Sequence, residues 1–152
     1  MSSMEQQTVQ PLVKTVVVRV DVVTAFSAFT GELTAWWPLA THSVGEDTAE
    51  QVSMAPMIGG EIVETYHGGK STVWGTVTEW DPPNAVAFTW HPGRGGDEAT
   101  SVKVAFGPVE GGTEVTLTHA GWGYREDGRS ARLGYDTGWD IVLGRFAGSL
   151  AG

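Results

Sequence analysis

The chain has 152 residues, no cysteine and a formal net charge of −9, from nine lysines and arginines against 18 aspartates and glutamates. This length fits one domain with a sizeable core, and the lack of cysteine excludes disulfide scaffolds, cysteine nucleophiles and Cys-type zinc sites. The negative charge disfavours nucleic acid and anionic membranes as partners. Because no long apolar run or signal-peptide pattern is present, we expect a cytoplasmic protein.

The N-terminal part predicts a leader followed by one strand. Residues 1–13 are predicted to form a flexible leader, because the segment opens with polar residues and contains Pro11, ahead of a single domain over 14–152. The β-branched run over 14–20 predicts the first strand.

Two short helical segments are predicted next. Asp21 is a candidate N-cap for the first, in which apolar residues recur at helical spacing: Val22, Phe26, Phe29 and Leu33. Pro38 stops a second helical turn that carries Trp36 and Trp37, because the residue before proline avoids the α region.

Six further strands are predicted after a polar loop over 41–50. Their ranges are 51–56, 61–67, 71–80, 85–91, 100–106 and 114–119. Turns rich in glycine, proline and asparagine separate them, with the chemistry that hairpins require. The order of strand, helices and six strands, closed by a helix, predicts an α+β fold with a curved, mostly antiparallel seven-stranded sheet.

The C-terminal segment predicts a long helix that packs across this sheet. Its apolar residues fall within one arc of a helical wheel: Tyr135, Trp139, Val142, Leu143, Phe146 and Leu150. Asp140, Gly144 and Arg145 lie outside the arc. Each helix glycine costs about 1 kcal/mol relative to alanine, so packing and not propensity must hold this segment helical.

Side-chain alternation predicts which strand residues face the helix. The inward sets are Val86, Phe88 and Trp90, then Val102, Val104 and Phe106, then Val115, Leu117 and His119. In 71–80 the choice stays open between the face of Trp74 and the face of Val73, and Gly75 is a candidate bulge where the facing changes.

An ordered set of motifs resembles the family of Hsp90 ATPase activator homologues. The motifs are Trp36-Trp37-Pro38, Gly59-Gly60, 77–83 leading into Ala87-Phe88-Thr89-Trp90, Thr118-His119-Ala120-Gly121 and Gly138-Trp139 through Leu143. The resemblance covers about residues 14–150. It implies the helix-grip fold of the START-like or SRPBCC superfamily, with a deep cavity between the sheet and the C-terminal helix, and a role in stress response. The chain departs from the eukaryotic co-chaperones of the family, because it lacks their separate Hsp90-binding domain.

The predicted ligand site lies in that cavity. Its candidate residues are Trp37, Met54, Trp74, Phe88, Trp90, Phe106, His119, Tyr135, Trp139 and Leu143. Aromatic walls with a few polar groups are the rule in small-molecule sites, and the same rings also serve as core. His119 is either a polar contact or general base on the cavity floor or, as is more common, a buried histidine satisfied by hydrogen bonds.

Other polar residues give weaker signals. His42, His67 and His91 match no metal motif, so no metal is expected. Glu61 and Glu79 are expected on a solvated strand face, whereas the side on which Glu64 lies stays open. Neither a nucleophile elbow nor a Gly-rich phosphate loop before a helix is present, so no catalytic residue and no cofactor are assigned.

These observations predict a monomer or homodimer that binds a small hydrophobic or amphipathic ligand between the sheet and the last helix. Two alternatives remain: an interaction protein that resembles Hsp90 co-chaperones and has a chaperone as partner, and a cavity enzyme of the cyclase type. An enclosed aromatic pocket favours the ligand binder, whereas a charged docking surface favours the co-chaperone.

Overall fold

The computed structural model describes residues 9–151. The strands are β1 (Leu12–Val18), β2 (Ala49–Met54), β3 (Glu61–Tyr66), β4 (Lys70–Asp81), β5 (Ala85–Trp90), β6 (Thr100–Val109) and β7 (Gly112–Ala120). The α-helices are α1 (Val22–Gly31), α2 (Leu33–Trp36) and α3 (Gly128–Ser149), and three short 3-10 turns cover Glu46–Thr48, Gly96–Glu98 and Trp122–Tyr124.

The seven strands form one antiparallel sheet in the order β1-β7-β6-β5-β4-β3-β2. The long helix α3 packs across its concave side, and Lys14 of β1 pairs with Asp136 and Asp140 of α3 at one edge. The predicted α+β helix-grip architecture is confirmed. No helix within residues 9–151 is long and apolar enough to cross a membrane.

The first helices follow their sequence signals. Asp21 caps α1 by accepting a hydrogen bond from the Thr24 amide at 2.8 Å. The helix ends at Gly31, so Leu33 opens α2 instead of extending α1. α2 ends at Trp36, and Trp37 is extended with ψ 135°, as the proline that follows requires.

The predicted apolar face of α3 is the buried one. Trp139, Val142, Leu143 and Phe146 are buried, while Tyr135 and Leu150 are half-buried against the core. Arg145, which lies outside the predicted arc, is exposed.

The β-bulge for which Gly75 was a candidate is present in β4. Ile62 pairs with Gly75 and Val63 with Val73, which leaves Trp74 as the extra residue of β4. A Cβ at Gly75 would overlap the carbonyl oxygen of Thr89 on β5, so only glycine fits there. Because of the bulge, Trp74 and Val77 are both buried, although strict alternation would place them on opposite faces of the strand.

Several predicted bounds were shifted. β1 spans Leu12–Val18 and not 14–20, and β2 spans Ala49–Met54 and not 51–56, because both begin while the sequence is still polar or mixed. The predicted leader 1–13 therefore overlaps β1 at its last two residues, and residues 1–8 of it lie outside the described residues.

Candidate functional site

A pocket of about 340 Å³ opens between α3, the segment after α2 and the turn that follows β5. The segment after α2, residues 41–45, is called the entrance loop below, and its residues 41–44 line the pocket. Five lining residues are aromatic: Trp37, Trp74, Trp90, Tyr135 and Trp139. This size and apolar lining are typical of a small-molecule site.

The four pocket tryptophans form one connected cluster. Ring centroids are 5.1 Å apart for Trp37 and Trp74, 5.5 Å for Trp74 and Trp90, and 5.5 Å for Trp90 and Trp139. Such tilted and edge-to-face contacts between aromatic rings are favourable beyond their burial. The rings therefore support one another as a continuous wall.

Each of the four indole N–H groups donates to an acceptor within the protein. The acceptors of Trp37, Trp74, Trp90 and Trp139 are His42 O at 2.7 Å, Glu64 Oε1 at 2.8 Å, Tyr135 Oη at 3.1 Å and His119 Nδ1 at 2.9 Å. A buried tryptophan normally finds such a partner. A ligand in the pocket consequently meets indole rings whose N–H groups are already bonded.

Deeper between the sheet and α3 the interior is filled. A void of only about 10 Å³ remains beside Met54, Phe88 and Trp139, room for about one water. Beyond it, Phe29 packs against Phe106 and Phe146 with centroid distances of 5.9 and 5.2 Å. Of the deep cavity implied by the family resemblance, only the outer pocket of about 340 Å³ and this small void are present among residues 9–151.

His119 lies behind the pocket wall with no exposed surface. Because an indole N–H can only donate, the Nδ1 that accepts from Trp139 carries no proton, and Nε2–H donates to Thr100 Oγ1 at 2.6 Å. The Thr100 hydroxyl in turn donates to the Trp90 carbonyl at 3.2 Å. Burial, with a smaller effect of the Arg125 charge, lowers the pKa of His119 to about 3. Both ring nitrogens of this neutral imidazole are occupied within the protein.

A family model described as Activator of Hsp90 ATPase homolog 1-like protein matches residues 19–151. The chain belongs to this family. The resemblance expected from the sequence motifs is therefore confirmed over most of the chain. No curated protein matches.

Solved structures with the same fold cover nearly the whole chain. The Aha1 dimer from Colwellia psychrerythraea, solved in solution, has TM-score 0.68 and 19% identity, covering 93% of this chain and 96% of that one. A Mesorhizobium loti protein has TM-score 0.65 and 17% identity, covering 91% and 94%. The anthrahydroquino-gamma-pyrone synthase Txn09, complexed with SUM, has TM-score 0.62 and 29% identity, covering 92% and 96%. The first two similarities show the fold alone.

The candidate ligand residues of this family member separate into three groups. The aromatic residues that line the pocket are Trp37, Trp74, Trp90, Tyr135 and Trp139. Met54 and Phe88 line the small inner void, and His119 lies behind Trp139. Phe106 and Leu143 are buried in the core and line neither space.

The entrance loop adds polar groups that the sequence did not assign to the site. His42 lines the pocket, and its Nδ1 lies 2.7 Å from the Thr41 hydroxyl. Ser43 also lines it, but its hydroxyl donates to Leu39 O at 2.6 Å and accepts from the Glu46 amide. A loop lacks the periodicity that placed the strand residues, so no sequence signal pointed to them.

Glu64, for which the sequence did not decide between the inner and the solvated face of β3, is buried. Glu64 has no exposed surface, while Glu61 is exposed and Glu79 pairs with Lys103 at 3.2 Å. Alternation along β3 carries the signal, because Ile62 and Glu64 share the inward face. Within residues 9–151 no group of three His, Asp or Glu residues is placed to hold a metal ion.

Proposed function

We propose that this protein binds a small, flat, amphipathic molecule in the pocket beside α3. The observation that carries the proposal is the wall of indole rings around a volume of about 340 Å³, in which every pocket tryptophan donates its N–H into the protein. Ring faces attract other flat aromatic systems and apolar surface. Membership of an SRPBCC family, a superfamily known for ligand binding, supports the same function.

The polar end of the ligand would lie between Tyr135 and His42. The Tyr135 hydroxyl oxygen accepts from the Trp90 indole at 3.1 Å and also interacts with the Arg125 guanidinium. Both of these neighbours are donors, so the hydrogen of the hydroxyl is left for a further acceptor. The Nε2 of His42 has no hydrogen-bond partner among residues 9–151, because only its Nδ1 meets Thr41. These two groups suit a ligand with a phenol or carbonyl oxygen at one edge.

A fused-ring ligand is further supported by the likeness to Txn09, which is 29% identical over nearly the whole chain. We therefore choose 1,8-dihydroxyanthraquinone as the probe, with dodecanoate as an aliphatic comparison. The expected result is saturable quenching of tryptophan fluorescence by the anthraquinone, with weaker binding of the fatty acid.

Two glycines of α3 provide a matched pair of variants. Gly138 lines the pocket, where a Cβ would lie 4.0 Å from the His42 ring, whereas Gly144 is exposed with nothing within 4 Å. Gly138→Leu should fill the pocket and abolish quenching, while Gly144→Leu should bind as the wild type does. Both changes favour the helix by removing a glycine, so stability does not separate them.

Binding that survives Gly138→Leu would place the probe elsewhere and contradict the proposal. The same conclusion would follow from a wild-type protein that shows no saturable quenching at all.

A second candidate function is ring-forming catalysis in the same pocket, and the synthase likeness favours it. His42 and Tyr135 would then act on the bound molecule as proton acceptor and donor. Incubation with the substrate of Txn09 should yield a product in the wild type and none in His42→Phe. Equal turnover by both would remove His42 from this role.

A chaperone partner, an assembly as monomer or homodimer and a cytoplasmic location stay predictions. The Colwellia structure is a dimer of a protein only 19% identical, so it carries the fold to this chain and not the assembly. Sedimentation velocity, run with and without Hsp90, measures both association states directly. If this protein sediments as a monomer and its boundary is unchanged by added Hsp90, the homodimer and the chaperone partner are both excluded.

A further inference from the structure

Glu64 is a fully buried side chain whose hydrogen-bond partners all lie in the entrance loop or the pocket wall. Its Oε1 accepts from the Val44 amide at 2.9 Å and from the Trp74 indole at 2.8 Å. Its Oε2 accepts from the Gly45 amide at 2.8 Å. One carboxylate thus joins the entrance loop to a tryptophan of the opposite wall.

The backbone of the entrance loop is fitted closely against β3. A Cβ at Gly45 would overlap Tyr66 and come 3.0 Å from Glu64 Oε2, so any larger residue would push the loop outward. The loop is also held by Trp37, whose indole donates to the His42 carbonyl at 2.7 Å. The position of His42 and Val44 on the pocket surface depends on these contacts.

The bonding pattern requires an acceptor-only group. Three N–H donors converge on the two oxygens, and an ionised carboxylate has acceptor sites for all of them and no hydrogen of its own. No lysine, arginine or histidine forms a salt bridge with Glu64 within the described part of the chain. The charge is compensated by the N–H groups alone, and a buried charge needs such bonds.

We infer that Glu64 is a positioning residue, which holds the entrance loop and Trp74 in the arrangement that forms the pocket. The consequence of this role for ligand binding rests on the proposed function. The hydrogen bonds from Glu64 to the loop and to Trp74 are present without a ligand. Loss of one acceptor should free the loop while the sheet stays folded, since the loop residues lie outside the strands and α-helices.

The test compares three variants of the whole chain. Glu64→Gln keeps the side-chain size but turns an NH2 group toward N–H donors. Gly45→Ala displaces the loop without changing the carboxylate. Val104→Ala truncates a buried residue of β6 that does not line the pocket, and it controls for a general loss of stability.

The first readout is amide hydrogen exchange at Val44 and Gly45 in the ligand-free protein. Exchange at both should accelerate about tenfold or more in Glu64→Gln and Gly45→Ala, because a hydrogen bond to a charged group contributes at least that factor. In Val104→Ala the two amides should exchange as in the wild type, measured against the slowest core amides.

The second readout is the dissociation constant of 1,8-dihydroxyanthraquinone, which should rise about tenfold in Glu64→Gln and not in Val104→Ala. If the wild type binds no probe, the proposed function fails, and the exchange rates alone decide the positioning role.

Unchanged exchange at Val44 and Gly45 in a folded Glu64→Gln protein overturns the inference. If Glu64→Gln does not fold, Glu64→Asp decides, because it keeps the charge but withdraws the two oxygens from the amides of Val44 and Gly45. Faster exchange at both amides in a folded Glu64→Asp protein supports the inference, and wild-type exchange overturns it.

Discussion

The two ends of the space between sheet and helix are built from the same residue type yet differ in what they leave open. At the inner end, Trp36 packs on Phe146 at a centroid distance of 4.8 Å, and only a void of about 10 Å³ remains. At the outer end, four tryptophans surround about 340 Å³. Space remains at the outer end because part of its lining is Gly138 and the entrance loop, where no further large aromatic side chain fills the volume. Aromatic content alone therefore does not make a pocket.

Trp139 lines both the pocket and the inner void, as do the other three pocket tryptophans, and its truncation should give the largest effect. Trp139→Ala is expected to lower the free energy of unfolding by about 3 to 5 kcal/mol, because it deletes a large buried ring. Arg145→Ala on the exposed side of α3 should change it by less than about 0.5 kcal/mol. Urea denaturation of both variants measures the difference. Equal midpoints would mean that α3 does not dock through this face.

His119→Phe should separate support of the wall from contact with the ligand. The variant leaves the Trp139 indole N–H without its acceptor, so a loss of about 1 to 3 kcal/mol is expected. Its affinity for 1,8-dihydroxyanthraquinone should stay close to that of the wild type, because both His119 nitrogens are occupied within the protein. A large fall in affinity with unchanged stability would show instead that His119 contacts the ligand.

The same histidine predicts an acid-sensitive fold. Its pKa is lowered to about 3 in the folded protein from 6.5 ordinarily, so between these values the unfolded chain binds a proton that the native ring does not. The free energy of unfolding should therefore fall with decreasing pH by up to about 1.4 kcal/mol per pH unit.

Denaturation midpoints from pH 7 down to about pH 5.5 measure this effect, because the ordinary pKa values of carboxyl groups are near 4 and an unfolded chain binds few protons at its carboxylates in that window. His119→Phe should flatten the slope over that window. A variant slope equal to that of the wild type would assign the acid sensitivity to other groups.

Among the pocket variants, Tyr135→Phe should give the smallest change in stability and a selective change at the outer end. Loss of the hydroxyl leaves the Trp90 indole without its acceptor, which costs about 1 kcal/mol. Affinity for 1,8-dihydroxyanthraquinone should fall several-fold if the hydroxyl meets its oxygens. Titration of both proteins with naphthalene is the control, because a hydrocarbon has no oxygen that could accept from the hydroxyl.

The parts of the fold set by local periodicity could be predicted. The apolar arc of α3 and the inward sets of β5, β6 and β7 need only the helix and strand repeats, and the structure buries them as expected. The facing of β4 could not be settled, because the bulge at Gly75 is dictated by the Thr89 carbonyl of a neighbouring strand. That contact is invisible until the strands are paired.

The candidate site was less accessible to prediction for the same reason. The aromatic wall was expected, but which rings fill the interior and which leave space depends on how Phe29, Phe106 and Phe146 interlock. The placement of His42 depends on a loop held by Glu64 through backbone amides. Every residue except proline has a backbone amide, so the sequence cannot indicate that Glu64 binds this loop, and only the structure shows it.

The clustering of the four pocket tryptophans also has an optical consequence. Rings this close should exchange electronic excitation before they emit, so light absorbed by one of them is shared among Trp37, Trp74, Trp90 and Trp139 and reaches Trp36, which lies 5.6 Å from Trp37. One energy acceptor bound at the wall would therefore quench the fluorescence of all four rings. The fluorescence of the coupled tryptophans should therefore respond as a whole when an energy acceptor enters the pocket.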